Sequence, residues 1–255
     1  MTFTLEHLEF YLLILMRVSG FIMTAPFFSY SSAPMRIRAA MSVFMSLVVI
    51  QVTPVVDLTY SGVFGYSALV LKESMIGVVL GLMCSMCFYI INLAGQLMDM
   101  EMGLSMANMF DPMVNMQFSV TGSLYNYLLM LMLVVTNMHY YIIRAIVDSF
   151  SYFNVGKAVF DTVSLKNIVV DFIANYFIIA VRIVLPVFCC MLLINVVLGV
   201  LAKAAPQMNM FVVGMQIKVL AGLAVLVIVI QSFPMVSAYI FGEMKDIITQ
   251  AVSYT

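Results

Sequence analysis

Residues 74–98 read SMIGVVLGLMCSMCFYIINLAGQLM, twenty-five residues without one charged side chain. As a helix this run would be about 38 Å long at about 1.5 Å per residue, which exceeds the roughly 30 Å hydrocarbon core of a bilayer. A second uncharged apolar run covers residues 118–143. Because only a helix satisfies its own backbone in hydrocarbon, both runs are predicted to be helical.

The composition of the whole chain points to the same environment. The 255 residues are 64% hydrophobic and 9% charged, and the mean hydropathy is +1.12. A soluble domain carries about 25% charged residues, so this chain is expected in a membrane or an almost completely buried assembly. The net charge of -1 and the absence of a Lys/Arg cluster exclude nucleic acid as a partner.

The predicted fold is all-α, a single domain over residues 1–255 built of hydrophobic helical hairpins. About six long apolar regions stand out: 10–28, 39–56, 62–98, 118–143, 172–202 and 219–242. Each but the third is expected to form one helix. The third is too long for one straight crossing, and Lys72 and Glu73 interrupt it, so it is either a bent pair of helices or a helix that protrudes from the bilayer. Pro186 and Pro234 are expected to kink or break their helices.

Residues 144–171 differ from these apolar regions, because charged residues alternate with aromatic and β-branched ones. This pattern favours an amphipathic or interfacial segment over a membrane span.

Four charged residues lie in or beside apolar runs: Arg17, Lys72, Glu73 and Arg182. An unpaired charge there costs several kcal/mol, so each must face protein, water or a counter-charge. A proton or ion relay in a transporter is one interpretation. Buried ion pairs between helices or subunits are the favoured one, since no chain of Asp, Glu and His lines a single span.

Gly77, Gly81 and Ser85 recur at every fourth position and form a stripe of small residues on one helix face. Such a stripe lets another backbone approach closely. The sequence leaves open whether that backbone belongs to this chain or to another subunit.

The connector between the two uncharged runs, residues 98–117, carries seven methionines: Met98, Met100, Met102, Met106, Met109, Met113 and Met116. Methionine is unbranched and rotatable about three bonds, so it fills irregular openings softly. We interpret this connector as a plug inside a conduit, with a flexible loop packed on its own bundle as the alternative. No phosphate loop, serine elbow or metal-binding motif is present, so neither an enzyme nor a cofactor is expected.

An ordered set of residues along most of the chain resembles the FliR family of flagellar export-gate proteins and its relatives of the SctT type in virulence secretion. The set consists of Arg17, Gly20, Pro26-Phe27-Phe28, Pro34, Arg36, Glu73, Gly77, Gly81, Gly95-Gln96, Asp99, Gly103, Asp111-Pro112, Asn137, His139, Ser149-Phe150, Lys203-Ala204-Ala205-Pro206-Gln207-Met208-Asn209, Phe211, Gly214 and Lys218. Asn137-Met138-His139 departs from the family's Asn-Gly-His, so the family's local loop geometry is not carried over there.

The resemblance implies a non-enzymatic subunit of a hetero-oligomeric export gate in the bacterial inner membrane, within the flagellar basal body. Its implied partners are FliP-type and FliQ-type membrane subunits, FlhB-type and FlhA-type export components and unfolded export substrates. The family's plug segment corresponds to residues 103–117. The predicted channel plug therefore consists of Met106, Met109, Phe110, Met113 and Met116.

Two other functions, and a scaffold role without a conduit, remain open from the sequence. One is a self-contained secondary transporter that uses Arg17, Lys72, Glu73 and Arg182, although no inverted repeat is detectable. The other is the equivalent subunit of a virulence type III secretion system. If the protein were a membrane scaffold without a conduit, no change in the connector would cause leakage of ions or small solutes.

Overall fold

The apolar regions fold as α-helices. The computed structural model describes residues 5–26, 28, 34–54, 56, 58, 60–106, 119–156, 162–207 and 209–253, and these contain no β-strand. The helices are α1 (Leu5–Thr24), α2 (Met35–Val52), α3 (Gly62–Met102), α4 (Val120–Val135), α5 (Met138–Tyr152), α6 (Thr162–Ala204), α7 (Met210–Val229) and α8 (Phe233–Ser253). A 3-10 turn, Ile230–Ser232, joins α7 to α8. The predicted all-α fold with about six long apolar regions is confirmed.

Several helices are long and apolar enough to cross a membrane. In the described residues there are five such stretches: His7–Thr24, Met35–Val52, Gly62–Met102, Val169–Ala204 and Val212–Gln250. Helix α3 is continuous over 41 residues, about 62 Å at about 1.5 Å per residue. Of the two alternatives for the third apolar region, the structure therefore has the single helix that exceeds the bilayer core.

The fourth apolar region is not the single helix that the sequence predicts. Helices α4 and α5 are bent by 74° at a short break, where Asn137 has a left-handed φ of 58°. Asparagine adopts this conformation more readily than most residues. One such residue redirects the chain within an otherwise apolar region.

The two prolines behave differently. Pro186 lies inside α6, which continues through it without a break. Pro234 is the second residue of α8, directly after the 3-10 turn, where its missing N–H costs nothing. The apolar region 219–242 is therefore interrupted by the 3-10 turn Ile230–Ser232, just before Pro234.

Segment 144–171 includes the end of α5 and the start of α6. Helix α5 buries one face, while Arg144 and Asp148 form an exposed i,i+4 pair, with Nε and Oδ2 3.4 Å apart. The helix is thus amphipathic, and its position at a membrane interface stays a prediction. Its buried residues are Met138, Ile142, Ala145, Ile146, Ser149 and Phe150.

Contacts group the chain into two compact units. The first unit comprises Met1–Cys87, Leu133–Phe172 and Phe241–Thr255, and its core includes the buried face of α1. The second comprises Phe88–Met132 and Ile173–Ile240. Within it, Tyr125 of α4 stacks on Phe233 of α8, with ring centroids 5.3 Å apart.

Candidate functional site

A fully buried ion pair lies in the first unit. Arg17 of α1 and Glu73 of α3 are 0% and 1% exposed, and the Arg17 Nε donates to Glu73 Oε2 at 2.6 Å. The remaining guanidinium nitrogens donate to the backbone carbonyls of Ser149 and Phe153, both at 3.1 Å. A charge without water is tolerated only when it is paired and hydrogen-bonded, and this arrangement meets both conditions.

The same pair fixes the turn that follows α5. Glu73 Oε1 accepts a hydrogen bond from the Gly156 amide at 2.9 Å, and Gly156 has a φ of 77°, which favours glycine. The Arg17 guanidinium also lies 4.2 Å from the centre of the Phe150 ring. Arg17 and Glu73 together thus join α1, α3, α5 and the turn after α5.

The structure does not bring the other two predicted charges into buried pairs. Lys72 on α3 and Arg182 on α6 are exposed. Within the described part of the chain neither side chain forms an ion pair. Since adjacent helix positions point in different directions, Lys72 faces away from the site that Glu73 occupies.

The small-residue stripe of α3 packs against α1 of this same chain. A Cβ added at Gly77 would meet the carbonyl oxygen of Arg17, and one at Gly81 would meet the Thr24 hydroxyl. The Ser85 hydroxyl donates to the Thr24 carbonyl. The two backbones therefore touch along three successive turns, the close approach that small residues permit.

The connector begins and ends at one buried carboxylate in the second unit. Asp99, in the last turn of α3, is 4% exposed. It accepts a hydrogen bond from the Ser119 hydroxyl at 2.7 Å and from the Thr121 amide at 3.2 and 3.3 Å. The Thr121 hydroxyl donates to it as well. Ser119 also caps α4, since its Oγ accepts from the Gly122 amide at 2.8 Å.

Helix α3 ends at Met102 because Gly103 takes a left-handed φ of 81°. The Gly103 amide donates to Met100 O and the Ser105 amide to Asp99 O, both at 3.3 Å, which satisfies carbonyls of the last turn. Met98 and Met102 are fully buried, whereas Met100 is 66% exposed. The first methionines of the connector thus alternate between the core and the surface.

Of the predicted plug residues, Met106 lies within the described structure. It is 37% exposed and lines a half-open cleft of about 430 Å³ together with Met100, Leu198, Met215 and Lys218. Met109, Phe110, Met113 and Met116 lie outside the described residues. Their role as a plug stays a prediction.

The residues that hold the two ends of the connector together were not predicted from the sequence. Ser119, Thr121 and Gly122 lie in an apolar run without charges and attracted no functional interpretation. The available signal was a serine directly before an apolar helical run, which is typical of a helix N-cap. The spacing of these residues in the sequence does not indicate that Asp99 accepts their hydrogen bonds.

No group of three or more His, Cys, Asp or Glu side chains that could hold a metal ion occurs among the residues that the structure describes. The chemistry available at both buried carboxylates is hydrogen bonding and ion pairing. These interactions hold helices and turns in place.

The family model for "Bacterial export proteins, family 1" matches residues 8–244. The flagellar biosynthetic protein FliR of Aquifex aeolicus is 30% identical over 247 residues, covering 94% of this chain and 92% of that protein. FliR of Bacillus subtilis is 28% identical over 223 residues, covering 86% and 85%. FliR of Escherichia coli is 25% identical over 251 residues, covering 98% and 95%. These matches confirm the resemblance found in the sequence. Because the family model spans most of its length, the chain belongs to the bacterial export proteins, family 1.

Proposed function

We propose that this chain is a non-enzymatic subunit of the flagellar type III protein export gate in the bacterial inner membrane. It forms part of the channel wall, and connector 98–117 closes the channel at rest. This closure prevents leakage when no unfolded export substrate is passing through. Its partners are FliP-type and FliQ-type membrane subunits, with FlhB-type and FlhA-type components in the same basal body. The family match and the flagellar names of the relatives support this proposal over a virulence secretion system.

The observation that carries the proposal is the exposed apolar surface of α6. Large apolar side chains are exposed on this helix from Val169 to Leu201, a distance of about 48 Å at about 1.5 Å per residue. A bilayer covers roughly 30 Å of such a surface. The remainder needs protein to cover it, which supports companion subunits over a monomer in lipid.

The buried charges argue against the secondary transporter. Arg17 and Glu73 direct their polar atoms to each other and to the backbone of Ser149, Phe153 and Gly156. A substrate would have to replace interactions that are already complete, at the full desolvation cost of a buried charge. This pair is therefore interpreted as structural.

The closed base of the connector supports the plug. Since Asp99 binds both Ser119 and Thr121, the start of the connector and the residues that follow it are held at one carboxylate. Soft thioether side chains between these fixed ends can repack without separating α3 from α4.

The test is the permeability of the assembled gate. Deletion of residues 106–113 is expected to raise ion leakage while the gate still assembles. A matched pair of triple variants separates the chemistry of the seal from the length of the connector. With Met106, Met109 and Met113 changed to Leu, the apolar volume is kept and the gate should stay closed. With the same three positions changed to Ser, the gate should leak. Unchanged permeability of the assembled deletion variant would refute the plug.

Assembly is tested separately by purification from the membrane. We expect the chain to co-purify with two other hydrophobic proteins in unequal copies. A stable monomer or symmetric homo-oligomer would refute the gate and favour the transporter.

A further inference from the structure

The position of Asp99 is unfavourable for α3 itself. The carboxylate lies in the last turn of the helix, three residues before Met102, where the helix dipole disfavours a negative charge. It is also buried, with 4% exposure. Neither placement stabilises α3, so the reason for this carboxylate lies outside its own helix.

The first turn of α4 supplies that reason. The amide of Thr121 is one of the helix N-terminal donors that have no partner within the helix, and it donates to both carboxylate oxygens of Asp99. Two hydroxyls, those of Ser119 and Thr121, donate as well. At the N-terminus of α4 a negative charge is favourable. Asp99 therefore acts as a cap provided by one helix to the next.

A second contact fixes the same two helices independently. Gly95 lies one turn before Asp99 on the same face of α3, and a Cβ added there would meet the Cα and N of Gly122. The backbones of α3 and α4 therefore touch directly beside the carboxylate. Gly95 sets the separation between α3 and α4, and Asp99 sets the position of the two ends of the connector.

We propose that Asp99, with Ser119 and Thr121, is a clamp that holds the two ends of the connector together and keeps the end of α3 against the start of α4 when the channel opens. Asp99 is thus a positioning residue for the plug, and this inference rests on the proposed function. Without the clamp, the methionines are unchanged but the two ends of the connector are no longer held together.

The test compares leakage through the assembled gate in a graded series. Removing one hydrogen bond to the Asp99 carboxylate shifts the equilibrium between the clamped and the released ends of the connector by roughly tenfold. Thr121→Val and Ser119→Ala are therefore expected to leak moderately, and Asp99→Ala to approach the deletion of residues 106–113. Asp171→Ala removes an exposed carboxylate from α6 and should leave leakage at the wild-type level.

A covalent replacement distinguishes positioning from a general loss of stability. In a background with the four native cysteines changed to alanine, the double variant Asp99→Cys/Thr121→Cys should leak when reduced and close when oxidised. The single variant Asp99→Cys should leak under both conditions. Co-purification of the partner subunits, measured for every variant, shows that assembly is retained.

The outcomes separate the two proposals. If the deletion of residues 106–113 leaks and the assembled Asp99→Ala variant does not, the clamp is refuted and the plug stands. If the deletion itself does not leak, the proposed function fails. Should Asp99→Ala prevent assembly, the milder Thr121→Val variant and the redox-dependent pair decide: equal leakage in the oxidised and reduced states refutes the clamp.

Discussion

Removing both members of the Arg17–Glu73 pair should destabilise the protein by less than the sum of the two single removals. In the variant Glu73→Leu the guanidinium of Arg17 stays buried at 0% exposure without a counter-charge. Breaking a buried pair in this way costs about 3–5 kcal/mol. The Gly156 amide also loses its acceptor, which adds about 1–3 kcal/mol. The sum approaches the whole stability of a typical domain, about 5–15 kcal/mol.

The double variant Arg17→Met/Glu73→Leu leaves no buried charge. Two carbonyls, of Ser149 and Phe153, and the Gly156 amide then lack their partners, so some destabilisation remains. The two single losses, about 4–8 kcal/mol for Glu73→Leu and about 3–5 kcal/mol for the removal of Arg17, would together cost about 7–13 kcal/mol if they were independent. The double variant should cost clearly less because the uncompensated charge is absent.

The assay is denaturant unfolding of this chain within the purified gate complex in detergent, for the wild type, both single variants and the double variant. The exposed pair Arg144 and Asp148 provides the matched control, for which the cost should be about 0–1 kcal/mol. The reasoning is refuted if Glu73→Leu costs as little as the control, or if the single costs add within about 0.5 kcal/mol to give the double.

Two further predictions concern backbone geometry. Gly77→Ala places a Cβ on the carbonyl oxygen of Arg17 and should lower the free energy of unfolding by about 1–3 kcal/mol through overpacking. Gly242→Ala, which meets nothing within 4 Å, should raise it by up to about 1 kcal/mol; equal effects of the two changes would contradict the packing of α1 on α3. Asn137 has a φ of 58°, so Asn137→Ile should be less stable than Asn137→Gly by about 1–2 kcal/mol in thermal unfolding. Indistinguishable melting temperatures would show that the left-handed turn is absent in solution.

The connector illustrates how far local sequence can go. Its methionines and its place between two uncharged runs are visible in the chain, and they suffice to suggest a soft seal. The carboxylate that joins its ends is visible too, but its partners are twenty and twenty-two residues away. Which donor meets Asp99 depends on how α3 and α4 pack at Gly95 and Gly122.

By itself the sequence determined the helical fold, the approximate apolar regions and the family, because composition, run length and ordered motifs are local properties of the chain. Only the tertiary structure decided that Glu73 pairs with Arg17 across 56 residues and that Lys72 and Arg182 stay exposed. It also decided that the small-residue stripe of α3 packs against α1. Each outcome depends on which helix faces lie against each other. A charge or a glycine has the same appearance in the sequence whether it meets a partner or not.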